Sequence, residues 1–94
     1  MRARLLYEFK QRYDDGAILE MVLWELPQPA PGSSHRYKYR LFYGYPGRRV
    51  VGYDNESGKG DHRHVEAREY RYTFVSADAL VADFLSDVEQ RRQE

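Results

Sequence analysis

The segment "VVGYDNESGKGDHRHVEA", residues 50–67, concentrates the side chains of this sequence that could do chemistry. The eleven residues from Asp54 to His64 hold two histidines, two aspartates, a lysine, an arginine and two glycines. Histidine can both take and give a proton near neutral pH, so it suits acid/base catalysis. A two-residue turn would be enough to join the strand-like runs on either side. The length and content of this segment therefore indicate a candidate functional site.

Acid/base cleavage of a phosphodiester is the hypothesis that uses most of these side chains. RNA cleavage needs a base for the 2′-hydroxyl proton and an acid for the leaving 5′-oxygen, and His62 and His64 suit these roles in either order. Lys59 and Arg63 would stabilise the charge on the phosphate. Strand cations, loop residues and glycine N–H groups would bind the substrate. These expected binding residues are Arg36, Lys38, Arg40, Tyr53, Asp54, Asn55, Gly58, Gly60 and Asp61. The mechanism requires no metal and no cofactor.

The same segment has three other interpretations: a phosphate-binding P-loop, a metal site and a loop with a purely structural role. "GYDNESGK" is not a phosphate-binding P-loop, because five residues separate its glycines instead of four and Gly60 stands where Ser or Thr would bind magnesium. His62 and His64 could ligate zinc or nickel with Asp61 or Asp54 as the carboxylate, since the two histidines would share one side of an extended strand, with Cα atoms roughly 6.6 Å apart. A polar loop of turn-forming residues would need no function at all. The metal and structural interpretations stay open.

Length and composition limit what else the chain can be. Ninety-four residues predict one domain with a modest core, and the lack of cysteine excludes disulfides and thiolate metal sites. No apolar run approaches the roughly 20 residues of a membrane span, and the N-terminus turns polar too soon for a signal peptide, so we expect a cytoplasmic protein. The net charge is zero, but residues 35–71 hold nine lysines and arginines against five aspartates and glutamates. This imbalance predicts a basic face that attracts phosphates.

Alternation of apolar and polar residues predicts five strands, at about residues 3–10, 17–26, 35–44, 48–54 and 65–74. Asp-Gly at 15–16 and Pro-Gly at 46–47 predict turns between consecutive strands. The second run also has apolar residues at helical spacing, but the preceding turn and Pro27 favour a strand in the interior of the sheet.

Apolar residues at helical spacing predict a C-terminal helix over about residues 77–91, with Ser76 as its N-cap. The helix needs an apolar surface to cover, and the sheet offers one. The predicted fold is therefore a single α+β domain over residues 1–94. It consists of a five-stranded, mainly antiparallel twisted sheet with the helix packed on one face.

The segment "PGSSHRYKYRLFY", followed by "YDNESGKGDHRH" and a short C-terminal helix, resembles the TumE family of bacterial type II toxin–antitoxin toxins. The likeness runs across nearly the whole chain. Its most specific part is Tyr53-Asp54-Asn55-Glu56 with Gly58-Lys59-Gly60-Asp61-His62-Arg63-His64. The resemblance implies a small cytosolic toxin, encoded beside a helix-turn-helix antitoxin that binds and neutralises it.

The residues and the resemblance together predict a toxin that acts on RNA, as a metal-independent endoribonuclease that blocks translation. The catalytic roles given to the histidines come from their chemistry and not from the resemblance. The alternative is a non-catalytic module that binds RNA or a protein and acts by occupancy. Basic strands at a sheet edge would also allow either a homodimer or docking of the antitoxin.

Overall fold

The fold is taken from a computed structural model, which describes residues 2–55 and 59–93. Six strands precede one helix, and their bounds are β1 Arg4–Arg12, β2 Ile18–Glu25, β3 Tyr37–Tyr45, β4 Arg48–Asp54, β5 His62–Val65, β6 Arg68–Arg71 and α1 Ala77–Gln93. The strands form one sheet in sequence order, and each is antiparallel to the next. The predicted class is confirmed: this is an α+β fold, with an antiparallel sheet and a C-terminal helix on it.

The sheet has six strands, not five, because the predicted strand over residues 65–74 is replaced by the β5–β6 hairpin. Two residues, Glu66 and Ala67, connect these strands. Glu66 has a φ of 53°, the left-handed backbone that tight hairpin turns use. Glycine, asparagine and aspartate mark such turns in a sequence, and none is present here. Since β5 begins at His62, both histidines lie on a strand and not at the end of a loop.

One face of the sheet carries the core. Alternate residues of β2, β3 and β4 point to this face and are buried, namely Leu19, Met21, Leu23, Tyr39, Leu41, Tyr43, Val51 and Tyr53. α1 lies over β3 and β4 and buries Leu80, Phe84 and Val88, which are spaced four residues apart and so share one side of the helix. We call this side of the sheet the helix face and the other side the open face.

A charged cluster fastens α1 to the sheet. The Arg63 guanidinium donates to both carboxylate oxygens of Asp87, at 2.7 and 3.1 Å, and the Tyr53 hydroxyl donates to the same carboxylate at 2.6 Å. Burial by itself raises the pKa of Asp87, but the hydrogen bonds from Arg63 and Tyr53 outweigh it and hold that pKa below 3.8. Asp87 on the helix thus joins two neighbouring strands through one ionised carboxylate.

Asp87→Asn is expected to lower the free energy of unfolding at neutral pH and to weaken its dependence on acid. A carboxylate whose pKa is lower in the folded state stabilises the fold above about pH 3.8, and this contribution disappears as the pH falls through the folded pKa. Urea unfolding at neutral pH and at about pH 3 measures the effect. Asp14→Asn is the control, because the Asp14 carboxylate is exposed and makes no hydrogen bond or ion pair with a described residue. Equal acid dependence in wild type and Asp87→Asn would contradict this role.

No helix within the described part of the chain is both long enough and apolar enough to cross a membrane.

Candidate functional site

Strand alternation places both histidines on the open face. Tyr53 and Arg63 are paired across β4 and β5 and point to the helix face, so the residues beside them in each strand point the other way. His62 is paired with Asp54, and His64 is paired with Gly52. The open face therefore carries an imidazole in each of two adjacent cross-strand rows.

An open pocket of about 530 Å³ contains both imidazole rings. Its lining residues are Arg49, Asp54, Lys59, His62, His64 and Glu69. The centroids of the two rings are 6.4 Å apart, close enough for both to contact one phosphodiester group. The acid/base hypothesis requires the histidines and Lys59 to line one pocket, and they do.

His64 is held by three charged neighbours. The Arg49 guanidinium donates to Nδ1 of His64 at 2.9 Å. Because a guanidinium has donors only, this nitrogen must be the acceptor, and the neutral ring carries its hydrogen on Nε2. That Nε2 atom lies 3.8 Å from the Asp54 carboxylate and 3.6 Å from the Glu69 carboxylate. The ring therefore has a fixed orientation, with carboxylates at one nitrogen and a cation at the other.

Gly52 makes room for this arrangement. A Cβ atom at position 52 would lie 2.6 Å from Cδ of Arg49, because the arginine stem crosses the strand there on its way to His64. The obstructing atom belongs to a flexible side chain, so an added methyl group would move Arg49 and leave the backbone in place.

Gly52→Ala is therefore expected to release Nδ1 of His64 without unfolding the protein. Imidazole ¹⁵N NMR of the wild type should report the Nε2–H form of His64, and the variant should lose the hydrogen bond at Nδ1. The His62 signals in the same spectra are the internal control, since Arg49 makes no hydrogen bond to that ring. Unchanged His64 nitrogen shifts in Gly52→Ala would contradict the proposed contact.

His62 is less constrained than His64. It lines the pocket above and also a neighbouring pocket of about 380 Å³, together with Lys59, Gly60 and Arg71. Within residues 2–55 and 59–93, the His62 ring makes no hydrogen bond. Among the described residues neither ring nitrogen of His62 has a hydrogen-bond partner, as a general base waiting for its substrate requires.

The Asp61 carboxylate is engaged by Tyr39 and His35, although Asp61 also lines the second pocket beside His62. Its carboxylate accepts a hydrogen bond from the Tyr39 hydroxyl at 2.5 Å and lies 2.8 Å from Nε2 of His35. Burial, followed by the bond to Asp61, raises the pKa of Tyr39 far above its usual range, so the phenol stays protonated. His35 stacks on Phe74 with ring centroids 3.9 Å apart. Asp61 thus ties the start of β5 to the core, and this position is why it does not join His62 and His64 as a third metal donor.

Asn55 extends the pairing of β3 and β4 beyond the last residue of β4. Its side-chain oxygen accepts from the Tyr39 N–H at 2.9 Å, and its amide donates to the Tyr37 carbonyl at 2.7 Å. Gly60 has a φ of 79°, which favours glycine at the turn into β5. These two predicted binding residues shape the approach to the pocket. The third loop residue, Gly58, lies outside the described residues.

Two predicted site residues, Arg63 and Tyr53, are on the helix face. Arg63 was expected beside the histidines as a catalytic cation, but its guanidinium binds Asp87 and lies over the ring of Tyr70, 5.3 Å from the centroid. A residue between two histidines that share one side of a strand must point to the other side. In the pocket, the position expected for Arg63 is occupied by Arg49, which sequence reasoning did not identify.

The predicted phosphate-binding cations divide into two groups. Lys38 and Arg40 are on the open face, where Arg40 is paired with Asp54 in the row that contains His62. They accompany two apolar rings: Trp24 is paired with Lys38, and the Arg40 guanidinium lies 5.7 Å from the centroid of Phe42. Arg36 precedes β3, and its guanidinium lies 3.9 Å from Glu25, away from the histidine pocket. The open face thus combines two cations and two aromatic rings beside the pocket.

Among the described residues, no group of three or more His, Cys, Asp or Glu side chains is arranged to hold a metal ion. The candidate cationic groups of the pocket are the side chains of Arg49 and Lys59, at positions where a phosphate could contact both them and the imidazoles. The pocket combines two imidazoles with two cations and with the two carboxylates of Asp54 and Glu69.

Comparison with known proteins identifies the family. The family model described as "Toxin TumE" matches residues 2–92. Searches of the curated proteins and of the solved structures found no match to this chain. Because the family match covers nearly the whole sequence, the chain belongs to the TumE toxin family and is the toxin of a toxin–antitoxin system, with an antitoxin as its partner.

Proposed function

We propose that this toxin is a metal-independent endoribonuclease and that the histidine pocket is its active site. The observation that supports this proposal is the presence of two imidazoles and two cationic side chains in one open pocket. Proton transfer between histidine and a 2′-hydroxyl, with cations at the phosphate, is sufficient chemistry to cleave RNA. Cleavage of RNA would block translation and so explain toxicity.

His62 is proposed as the general base and His64 as the general acid. His62 takes the proton of a 2′-hydroxyl, and the freed oxygen attacks the adjacent phosphorus. His64 must first carry a second proton, which requires Arg49 to leave Nδ1. The substrate phosphate attracts the Arg49 guanidinium, and Asp54 and Glu69 then balance the charge of the protonated ring.

The products follow from these proton transfers. His64 gives a proton to the 5′-oxygen as its bond to phosphorus breaks, which leaves a 2′,3′-cyclic phosphate and a 5′-hydroxyl. Arg49 and Lys59 stabilise the additional negative charge of the transition state. The reaction requires a 2′-hydroxyl, so DNA of the same sequence should bind without being cleaved.

We call the open-face side chains beside the pocket the strip, namely Trp24, Lys38, Arg40 and Phe42. The strip is proposed to hold the substrate strand. Lys38 and Arg40 would contact phosphates on one side of the scissile one. The exposed ring of Trp24 and the ring of Phe42 would stack on unpaired bases. This strip has two cations and two aromatic rings on two paired strands, with Glu20 4.0 Å from Arg40, and its cations and rings suit single-stranded RNA.

The test is to incubate the purified toxin with total RNA in the presence of a chelator. The proposal predicts RNA fragments with 2′,3′-cyclic phosphate and 5′-hydroxyl ends, at the same rate with and without chelator. Fragments that form only after one divalent ion is restored would replace this mechanism with a metal-dependent one.

A second candidate, binding by occupancy without cleavage, is favoured by the same strip, because Trp24, Lys38, Arg40 and Phe42 need no histidine to bind RNA. It predicts toxicity without RNA fragments and binding that weakens steeply with salt. Under this alternative, Lys38→Ala with Arg40→Ala would reduce toxicity more than loss of either histidine. The proposed nuclease predicts the reverse order.

A further inference from the structure

The edge strand β1 and the adjoining side of α1 form an uncovered apolar groove. Every residue of β1 is exposed, and its four large apolar side chains, Leu5, Leu6, Tyr7 and Phe9, are 40–42% exposed. α1 is centred over β3 and β4, so it leaves this side of the helix face open. A groove of about 470 Å³ lies there, lined by Leu6, Tyr7, Leu23, Ala77, Asp78, Val81, Ala82 and Leu85.

The backbone of β1 is also available to a partner. β1 is the first strand of the sheet and pairs only with β2, so one row of its N–H and C=O groups lacks a strand beside it. Its pairing with β2 is regular from Tyr7 to Arg12, after an irregularity between Leu5 and Tyr7. A long edge with apolar side chains is a template for another strand, and proteins normally cover or charge such edges.

The charges around β1 select the kind of partner. At one end of the groove Arg2, Arg4 and Arg36 surround the single carboxylate of Glu25. At the other end are Lys10 and Arg12, and Arg12 makes no ion pair with any described residue. Residues 2–12 hold four cations, Arg2, Arg4, Lys10 and Arg12, against one acid, Glu8, so two β1 strands side by side would bring like charges together. Such like-charge contacts oppose a homodimer through this edge, whereas an acidic segment would complement both ends.

We propose that the antitoxin docks here, by adding an extended segment to the free edge of β1. The segment would place alternate apolar side chains into the groove against Tyr7 and Leu85, and carboxylates against Arg4 and Arg12. This inference rests on the membership of the chain in a toxin–antitoxin family and is independent of the proposed nuclease chemistry. Two strands, β2 and β3, separate the docking edge from β4, which begins the histidine pocket, so the antitoxin would not need to fill that pocket to bind.

The experiment uses the full-length toxin and the antitoxin encoded beside its gene, each purified separately. Leu85→Asp places a carboxylate in the apolar groove and is expected to weaken antitoxin affinity by about 10- to 100-fold. Val75→Asp is the matched control, because Val75 is 76% exposed and does not line the groove. Arg12→Glu on β1 is expected to weaken affinity by about 10-fold, and Arg68→Glu on the opposite edge strand is its control.

Hydrogen exchange supplies a second readout that does not depend on RNA cleavage. The amides of β1 should exchange more slowly in the complex, while those of β6 should not change. Protection of β4 and β5 without protection of β1 would overturn the proposal, as would equal affinities for Leu85→Asp and Val75→Asp. Concentration-dependent protection of β1 in the toxin alone would assign the groove to a second copy of this chain instead. If the wild-type toxin does not cleave RNA but still binds the antitoxin through the groove, only the proposed function is overturned.

Discussion

Replacing His62 or His64 with alanine is expected to lower the rate of RNA cleavage by about 10²–10⁴-fold, the usual contribution of a positioned general acid or base. Both residues line one open pocket, but the His64 side chain is only 12% exposed and accepts a hydrogen bond from Arg49, so His64→Ala removes packing as well as a proton-transfer group. Toxicity in cells should fall with the rate, because cleavage is the proposed cause of growth arrest. The initial rate on one RNA substrate, measured for each variant with chelator present, tests this expectation.

Arg68→Ala is the control for these variants, because Arg68 is exposed on β6 and lies outside the pocket. Unfolding midpoints of wild type, His62→Ala and Arg68→Ala should agree closely, and the rate of His64→Ala is compared for its folded fraction, so that a loss of rate can be assigned to chemistry. The two histidine variants should still bind uncleaved RNA through the Lys38 and Arg40 strip. If both variants stay fully toxic, the acid/base assignment is wrong and binding by occupancy becomes the better explanation.

Local sequence signals predicted most of the fold correctly. Gly16 and Gly47 have φ values of 89° and 76°, as expected for the Asp-Gly and Pro-Gly turns. The Ser76 side chain accepts a hydrogen bond from the Ala79 N–H, which is the predicted N-cap. Only the Glu66–Ala67 turn was missed. Its backbone conformation is imposed by the pairing of β5 with β6, and neither glutamate nor alanine is a residue type that predicts such a turn.

The site was only partly predictable, for a physical reason. Period-two alternation is a local property, so it correctly groups His62 with His64. Applied to the residue between them, the same rule places Arg63 on the helix face, and the catalytic role assigned to Arg63 ignored this. The location of Arg49 depends on the register of β3 with β4 and on its irregularity at Tyr43/Gly44, which no local pattern encodes. Long-range strand pairing therefore decides which cation joins the histidines.

The second large expected effect is that Arg49 supports the rate of RNA cleavage and Arg63 supports the stability of the fold. Arg49→Ala should lower the rate of RNA cleavage by about 10²–10³-fold, because it removes a preorganised cation from the phosphate, and should leave stability nearly unchanged. Arg63→Ala should lower the free energy of unfolding by about 1–2 kcal/mol, because it leaves the Asp87 carboxylate without its paired cation in a partly solvated site. The folded fraction of Arg63→Ala should retain most of its activity.

Urea unfolding and initial cleavage rates, measured on the same preparations, separate the two effects. Arg49→Lys keeps the charge but not the planar contact with His64, so it should recover part of the lost rate. Arg63→Lys should recover part of the lost stability in the same way. The opposite pattern, an inactive but fully stable Arg63→Ala with an active Arg49→Ala, would return the catalytic cation to the helix face. The histidine pocket would then have to be abandoned as the active site, because no phosphate on the open face could contact Arg63.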